Sequence, residues 1–394
     1  MQQWWPVFQA LVRARSIFGE EHAAIEIVEA ALSSRDIPFV AVPCDRATLS
    51  QLPGAQPPYC DVPGRRNVIA TVTGTGGGRA FILNSHLDIV PEGDPATWSR
   101  DPFSGSIEDG VIHGRGAYDD KAGVVICLAL LEKARAARLA GDVIAHFALE
   151  DETTGNGSLL CLEHGPRADA AIIIDGTRGE RGINAHAGNV RFGVRVYGKP
   201  SSVSVSHVGV NAAEMLARLL LQMREATFAL NASNVEPWTQ FPSPNQLAVL
   251  SLECAETPLT VPAVASATCY ATFTPPLDLR AFRGMLDDVA ARFASAHALE
   301  RAPELDWGGF GAEPVRADAG AIEHVINAAA GRPVPFGPST GTSDLRHFAA
   351  RSIPCVLFGP GPGANPHRAD EHFPLAALDE TAGVIWRAIE AWCA

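Results

Sequence analysis

Histidine and acidic residues recur in this sequence beside apolar runs, in places where they could bind a divalent metal. Four segments show this pattern, at residues 84–88 (NSHLD), 114–121 (GRGAYDDK), 150–157 (EDETTGNG) and 172–175 (IIID). A fifth segment, 359–367 (GPGPGANPH), adds His367 far downstream. Imidazole nitrogens and carboxylate oxygens together form a ligand set suited to zinc, cobalt or manganese. The combination therefore predicts a metal centre.

Each segment taken alone also has a simpler interpretation. His86 could lie at the surface or the edge of the core, and Asp119 or Asp120 could cap the helix that follows. The acids 150–152 could form a solvated turn, because neighbouring carboxylates repel one another unless they are exposed or neutralised by cations. Strand alternation puts His86 and Asp88 on the same side, so Asp88 is placed to hold the second ring nitrogen of His86.

Alternating strands and helices must position these residues. Strand-like runs lie at residues 67–73, 80–90, 142–150 and 170–174. Helix-like runs lie at residues 7–34, 121–139 and 157–164. The glycine-rich segment 74–78 would make a hairpin or a loop between the first two strands. The alternation predicts a sheet with helices on its faces, and ligands bind at the strand ends of such sheets.

The pattern changes near residue 182, which predicts a second, inserted domain. Strand-like and helix-like runs follow in the order strand, helix, strand, strand, helix, at residues 189–197, 212–230, 246–252, 265–274 and 279–298. Short strands return at residues 331–336 and 353–358. We therefore expect a metal-binding domain formed by residues 1–181 and 299–394, with residues 182–298 inserted into it.

Composition restricts the classes of partner. The chain has 394 residues, of which 47% are hydrophobic and 19% charged, and a formal net charge of −13. This acidic balance argues against nucleic acid or an anionic membrane as the main partner, since both need basic patches. The N-terminal residues lack a signal-peptide pattern, and no apolar stretch reaches the ~18 residues of a membrane span. A cytoplasmic protein is expected.

The segments together resemble the M20 metallopeptidase family, which includes acetylornithine deacetylase, succinyl-diaminopimelate desuccinylase, aminoacylase and carboxypeptidase G. The resemblance runs essentially end to end. Its most specific stretch is residues 85–123, SHLDIVPEGDPATWSRDPFSGSIEDGVIHGRGAYDDKAG. Further matches are EDETTGNG at 150–157, GVNA at 209–212, GTSDLRHF at 341–348 and GPGPGANPH at 359–367. The resemblance implies an α/β zinc-aminopeptidase-like catalytic domain, a mixed sheet sandwiched by helices, with an inserted α+β ferredoxin-like lid or dimerisation domain.

The resemblance also implies roles for the site residues. Two divalent ions are expected, with zinc as the first candidate and cobalt or manganese as alternatives. One ion would be held by His86, Asp119 and Asp175. The other would be held by Asp119, Glu152 and His367, so that Asp119 bridges the two. Asp88 would orient His86, and the Asp119–Asp120 peptide would be cis.

Two positions depart from the family pattern. The catalytic base is usually a Glu directly before the metal-binding Glu, but here that position is Asp151, whose side chain is one methylene shorter. Either the site is built around the shorter base, or Glu150 substitutes through a local shift. In the inserted domain, Ser202 stands where relatives usually carry a His that reaches across a dimer to the substrate, and His207 could replace it. Arg346 could meet a substrate carboxylate or make a structural ion pair.

The implied activity is metal-dependent hydrolysis, by a metal-activated water, of the amide bond in an N-acyl amino acid, a dipeptide or a related small conjugate. The two departures favour an alternative, hydrolytic deamination or ureido or amide cleavage of a non-peptide small molecule. A non-catalytic metal-binding relic is the third alternative. The expected partners are a small-molecule amide substrate and a second copy of the chain. In that homodimer, the helix at 212–230 and an edge strand would pair across a two-fold axis.

Overall fold

The apolar runs form helices and strands in a computed structural model that describes residues 1–177, 181–255 and 258–394. The helices are α1 (Trp5–Arg13), α2 (His22–Ser33), α3 (Arg46–Leu49), α4 (Lys121–Ala137), α5 (Asn156–His164), α6 (Ala212–Ala229), α7 (Leu279–Ala296), α8 (Gly320–Ala330), α9 (Leu345–Ala350) and α10 (Ala376–Trp392). The strands are β1 (Phe39–Pro43), β2 (Arg66–Val72), β3 (Phe81–His86), β4 (Ser106–Glu108), β5 (Val111–His113), β6 (Val143–Ala148), β7 (Ala170–Ile173), β8 (Gly182–His186), β9 (Gly188–Tyr197), β10 (Gln246–Cys254), β11 (Val264–Phe273), β12 (Glu304–Asp306), β13 (Gly311–Ala312), β14 (Val315–Arg316), β15 (Phe336–Ser339), β16 (Cys355–Leu357) and β17 (His372–Pro374). The chain divides into two units, one formed by Met1–Asn184, Arg316–Gly337 and Ser343–Ala394, the other by Ala185–Val315 and Pro338–Thr342.

A mixed sheet forms the centre of the first unit. Its strand order is β1-β2-β6-β3-β7-β16-β8-β14, and β15 also pairs with β8. The neighbours β6, β3, β7 and β16 are parallel, whereas β2 is antiparallel to β1 and to β6. Every residue of β3, β6 and β7 is buried, as is typical of strands covered on both faces. Because these strands are parallel, their carboxyl ends meet at one edge of the sheet.

Helix α4 covers the sheet behind that edge. Its Ala- and Leu-rich sequence favours a helix, and it packs against β3 and β6. Asp120 occupies its N-cap position, but the Asp120 side chain makes no capping hydrogen bond and instead accepts one from Ser85 Oγ. The capping interpretation of this residue is therefore wrong. None of the helices in the described residues is long and apolar enough to cross a membrane.

A small three-stranded sheet, ordered β17-β5-β4, joins two distant loops of the first unit. β17 pairs with β5 in antiparallel register, with His372 opposite His113. The backbone N–H of Gly114 donates to the carbonyl of Glu371 at 2.9 Å. The loop that follows β5 and contains Asp119 is thereby tied to the loop that precedes β17 and contains His367.

The second unit has an antiparallel sheet of order β10-β11-β9-β12, with β13 also paired to β9. The strands β9 and β11 alternate buried with more exposed residues, which is the pattern of a sheet covered on one face. Helices α6 and α7 pack on the sheet over a core that includes Phe192, Leu216, Phe273 and Phe282. The order strand, helix, strand, strand, helix agrees with the sequence pattern.

Two details differ from the sequence-based expectations. The hairpin reading of residues 67–90 is wrong, because β6 lies between β2 and β3 in the sheet and the glycine-rich segment is a loop. The second unit is also larger than the predicted insertion 182–298. It continues to Val315, because β12 and β13 complete its sheet beside β9.

Candidate metal centre

The carboxyl ends of three adjacent parallel strands supply most of the site. His86 is the last residue of β3, while Asp151 and Glu152 follow β6 and Asp175 follows β7. The strand order β6-β3-β7 puts these ends side by side. Asp119 comes from the loop before α4, where the Asp119–Asp120 peptide is cis. Strand order therefore gathers side chains that are distant in sequence.

The Asp119 carboxylate lies between two imidazoles. Its Oδ1 is 3.0 Å from His86 Nε2, and its Oδ2 is 3.2 Å from His367 Nε2. His367 Nε2 is also 2.9 Å from Glu152 Oε1. One ligand atom from each of His86, Asp119 and Glu152 lies within 4.8 Å of the other two. One carboxylate oxygen directed at each histidine is the arrangement that a ligand shared between two cations requires.

The electrostatics of the site match a set of ligands for cations. Burial alone would raise the pKa of Asp119, but hydrogen bonds with His367 and His86 outweigh burial and keep it below the usual range. The hydrogen bonds to Asp119 and Glu152 raise the pKa of His367 to about 11. Burial, followed by the charge of Asp119, raises the pKa of Asp175 to about 7. A divalent cation bound here would displace protons from the histidines, because metal ligands must be deprotonated.

Asp88 has a different contact from the one expected. His86 Nδ1 is 2.8 Å from the backbone carbonyl of Asp88 but 3.7 Å from its carboxylate. The carboxylate instead accepts the backbone N–H groups of Asp151 and Glu152, both at 3.2 Å. Asp88 therefore orients His86 through its main chain, and its side chain fixes the turn that carries the two acids. Burial raises the pKa of Asp88 to about 7.

Asp151 lies beside His86. Its Oδ2 is 4.0 Å from His86 Nε2, and burial raises its pKa to about 7. A second carboxyl group, Asp344, is fully buried nearby, and its pKa is raised above the usual range by burial and then by the charge of Asp151. With a pKa of about 7, Asp151 can take up a proton near neutral pH, which is the property of a general base.

Glu150 cannot replace Asp151 as the base. Its carboxylate has no exposed surface and accepts hydrogen bonds from Arg65 Nη1 at 2.8 Å, from Asn156 Nδ2 at 3.0 Å and from Thr154 Oγ1. These three donors engage both oxygens of the buried carboxylate, which holds it as part of a hydrogen-bonded structural network. The substitution by Glu150 considered from the sequence is therefore wrong.

The three residues expected to contact substrate are divided between the two units. Arg346 donates to the backbone carbonyls of Ser343 and Thr154, both at 2.8 Å, while its Nη2 is 3.8 Å from Asp344 Oδ1. From the sequence, Arg346 was expected to meet a substrate carboxylate or to make a structural ion pair. Its hydrogen bonds to backbone carbonyls were not expected. Ser202 and His207 belong to the second unit, where both are exposed and Ser202 Oγ is 2.9 Å from Ser204 Oγ.

Sequence reasoning missed Glu371, a residue that positions the site. Its Oε1 accepts the backbone N–H groups of Tyr118 at 3.0 Å and Asp119 at 3.1 Å, and its Oε2 accepts from Arg115 Nη1 at 2.5 Å. The side chain is almost completely buried. The only signal in the sequence is an acidic residue four positions after His367. Such a residue looks like an ordinary solvated loop residue until its contact with the loop that contains Asp119 is known.

Comparison with known proteins agrees with this geometry. A family model described as peptidase family M20/M25/M40 matches residues 82–391. The succinyl-diaminopimelate desuccinylase of Methylobacterium sp. (strain 4-46) is 28% identical over 406 residues, covering 98% of this chain and 94% of the relative. The N-formyl-4-amino-5-aminomethyl-2-methylpyrimidine deformylase of Halalkalibacterium halodurans is 24% identical over 360 residues, covering 84% of each chain.

A solved structure shows the same fold. A Bacillus subtilis protein described as a dinuclear metal binding peptidase from the M20 family superposes with a TM-score of 0.67 at 13% identity, covering 100% of this chain and 98% of that one. The predicted fold class and the predicted metal-dependent hydrolysis of an amide bond are confirmed by these likenesses together with the family model. The chain belongs to peptidase family M20/M25/M40.

Proposed function

We propose that this chain hydrolyses an amide bond in a small molecule at a centre that holds two divalent metal ions. His86, Asp119 and Asp175 would hold one ion, and Asp119, Glu152 and His367 the other. The observation that carries the proposal is the Asp119 carboxylate, with one oxygen 3.0 Å from His86 and the other 3.2 Å from His367. Nitrogen and carboxylate donors in this number fit zinc best, and they also accept cobalt or manganese.

The metal ions, Asp151 and Asp88 have different roles in the proposed hydrolysis. Divalent ions at such a site lower the pKa of a water and polarise a carbonyl. Asp151 is the general base that takes the proton of the attacking water and passes it to the leaving amine nitrogen. Burial raises the pKa of Asp151 to about 7, so the group can both accept and return a proton at neutral pH. Asp88 holds the Asp151 backbone while the proton moves.

The substrate class rests on the relatives. We propose an N-acylated amino acid or a dipeptide as the first class, because the desuccinylase matches 98% of this chain. A non-peptide amide, ureido compound or amine is the second class, supported by the likeness to a deformylase and by the departures at Asp151 and Ser202. The exposed His207 is the proposed replacement for the His that Ser202 displaces. The cytoplasmic location stays a prediction.

The test is a substrate panel with the zinc-loaded full chain. It contains N-succinyl and N-acetyl amino acids, dipeptides, an N-formyl aminomethylpyrimidine and a ureido acid, and it records the released amine or ammonia. Turnover of the acyl amino acids or dipeptides supports the first class. Turnover of only the formyl or ureido compounds supports the second. A chain that binds zinc but cleaves none of them would be the metal-binding relic.

We also propose a homodimer formed through the second unit. β10 is an edge strand of the sheet in that unit, and it exposes 57% of Leu250 and 53% of Leu252. α6 packs against β10 and exposes 57% of Leu221 and 62% of Phe228, which lie seven residues apart and so on one helix face. Exposed apolar side chains on an edge strand and its adjoining helix favour pairing with a second copy of the chain.

Changing Leu250 and Leu252 together to lysine should convert the dimer to a monomer, because charges on an edge strand oppose pairing. Light scattering of the purified chain measures the molar mass directly. Val40→Lys is the matched control, since Val40 is 54% exposed on the edge strand β1 of the first unit. A wild-type chain that is already monomeric at high concentration would refute the proposed dimer.

A further inference from the structure

A buried ion cluster lies next to the turn that carries Asp151. Arg65 donates through Nη2 and Nε to the two carboxylate oxygens of Glu21, at 2.8 and 3.1 Å, and through Nη1 to Glu150 at 2.8 Å. All three side chains have 0% exposed surface. We call Glu21, Arg65 and Glu150 the Arg65 cluster. Its planar guanidinium binds Glu21 through two nitrogens and Glu150 through the third, a geometry that the single nitrogen of a lysine cannot reproduce.

The cluster joins three elements of the first unit. Glu21 directly precedes α2, Arg65 directly precedes β2, and Glu150 follows β6 by two residues. β2 and β6 are antiparallel, with Val68 opposite Phe147, so the start of β2 lies beside the end of β6. A side chain of β2 itself, Asn67, accepts the Leu149 backbone N–H at 2.9 Å. The residues that follow β6 are thus held by Asn67 of β2 and by Arg65, which directly precedes that strand.

The backbone of Glu150 has an unusual conformation. Its φ is +65°, in the left-handed region that residues other than glycine seldom adopt. The Glu150 carbonyl accepts the N–H groups of Thr153, Thr154 and Gly155 at 3.2, 2.9 and 2.6 Å. Such a conformation persists only where the surrounding contacts over-determine it. The side-chain contacts of Glu150 with Arg65, Thr154 and Asn156 add to these backbone hydrogen bonds.

The next two residues along the chain are the proposed base Asp151 and the proposed ligand Glu152. Their backbone N–H groups are held from the other side by Asp88. A short aspartate has little freedom to correct its own reach, so the position of its backbone decides where its carboxylate lies. Burying two carboxylates and one guanidinium has a large desolvation cost. The presence of the Arg65 cluster therefore needs an explanation beyond stability.

We propose that the Arg65 cluster is a positioning device that sets the turn at residues 150–152, and so places Asp151 and Glu152 for catalysis and metal binding. This inference rests on the proposed function. Arg65 and Glu21 are positioning residues, since they act through Glu150. The device explains how an active centre can operate with Asp151 in place of a longer Glu.

The experiment compares Arg65→Lys and Glu21→Gln with variants of the ion pair made by the next residue, Arg66. Arg66 makes two 2.7 Å contacts with Glu29 beside Arg65, and these side chains are 27% and 20% exposed. Arg66→Lys and Glu29→Gln therefore perturb an equivalent pair that does not touch the turn. The metal-free full chain is titrated with zinc, and thermal unfolding is recorded for each variant.

We expect the weaker zinc site to lose roughly 10- to 100-fold in affinity in the Arg65 and Glu21 variants, as is typical when partners of metal ligands are removed. At saturating zinc, kcat should fall by roughly 10- to 100-fold, because a ~1 Å displacement of a reacting group costs about that much. KM should not change. The Arg66 and Glu29 variants should match the wild type in zinc affinity and kcat.

If the folded Glu21→Gln and Arg65→Lys chains bind zinc as tightly as the Arg66→Lys chain, the cluster is only structural and the inference is wrong. Glu21→Gln keeps the shape of the side chain and the Arg65–Glu150 contact, so it tests the proposal even if Arg65→Lys does not fold. The zinc titration needs no substrate. A negative result in the zinc titration would therefore refute the positioning role of the Arg65 cluster without refuting the proposed function. Asp151→Asn and the substrate panel test the proposed function separately.

Discussion

Replacing Asp119 by alanine should reduce the zinc content of the purified chain from about two ions to about none, because this carboxylate is the one ligand that both ions would share. The geometry gives the reason, since each of its oxygens faces a different histidine, at 3.0 and 3.2 Å. Elemental analysis after incubation with zinc, cobalt or manganese, followed by removal of free metal, measures the content directly.

Asp94→Ala is the control for this substitution, since Asp94 is an exposed loop carboxylate and its removal should leave the zinc content unchanged. A wild-type content near one ion would contradict the shared-ligand assignment and favour specialised, non-peptide chemistry. An Asp119→Ala chain that still holds two ions would contradict it as well. Absence of bound metal in the wild type under all three conditions would favour the relic.

Replacing Asp151 by alanine should lower kcat by roughly 10²- to 10⁴-fold, the usual contribution of a positioned general base. Zinc content should stay at the wild-type value, because Asp151 is not among the proposed ligands. Steady-state kinetics on the best substrate of the panel, with zinc analysis of the same preparations, separates the two effects. Loss of turnover with full metal content would identify Asp151 as the base.

Two further variants sharpen this test. Asp151→Asn keeps the size of the side chain but removes its basicity, so it should be as inactive as the alanine variant. Asp151→Glu keeps the carboxylate but lengthens the side chain by one methylene, so it should retain turnover, although the turn is built around the shorter residue. Full activity in Asp151→Asn would show that another group takes the proton, and the buried Asp344 would be the first to examine.

Local sequence determined the elements and the chemical types of the site. β3, β6 and β7 are buried along their length and largely apolar. His86 is the last residue of β3, Asp151 and Glu152 follow β6, and Asp175 follows β7. A strand buried on both faces is mostly apolar, so ionisable residues that follow a long apolar run mark the region where the strand ends. Because ligands bind at the carboxyl ends of such strands, these patterns were enough to predict a metal centre there. The motif at 85–123 was specific enough to indicate the family.

Tertiary structure decided which of these groups touch. The sequence left open whether β2 and β3 form a hairpin, because strand periodicity does not encode the order of strands in a sheet, and the structure puts β6 between them. It likewise left Glu150 as a candidate base, since nothing local distinguishes it from Asp151. The partners that exclude Glu150, Arg65 and through it Glu21, come from other elements.

The same holds for the carboxylates that position the site. From strand alternation, Asp88 was expected to hold His86, but its side chain bonds the backbone of Asp151 and Glu152. Glu371 had no recognisable role until the small sheet placed it beside Asp119. A side chain's type and local periodicity can be read along the chain, so ligand types were predictable. Its hydrogen-bond partner is set by which distant segment the fold places next to it, and only the tertiary structure fixes that.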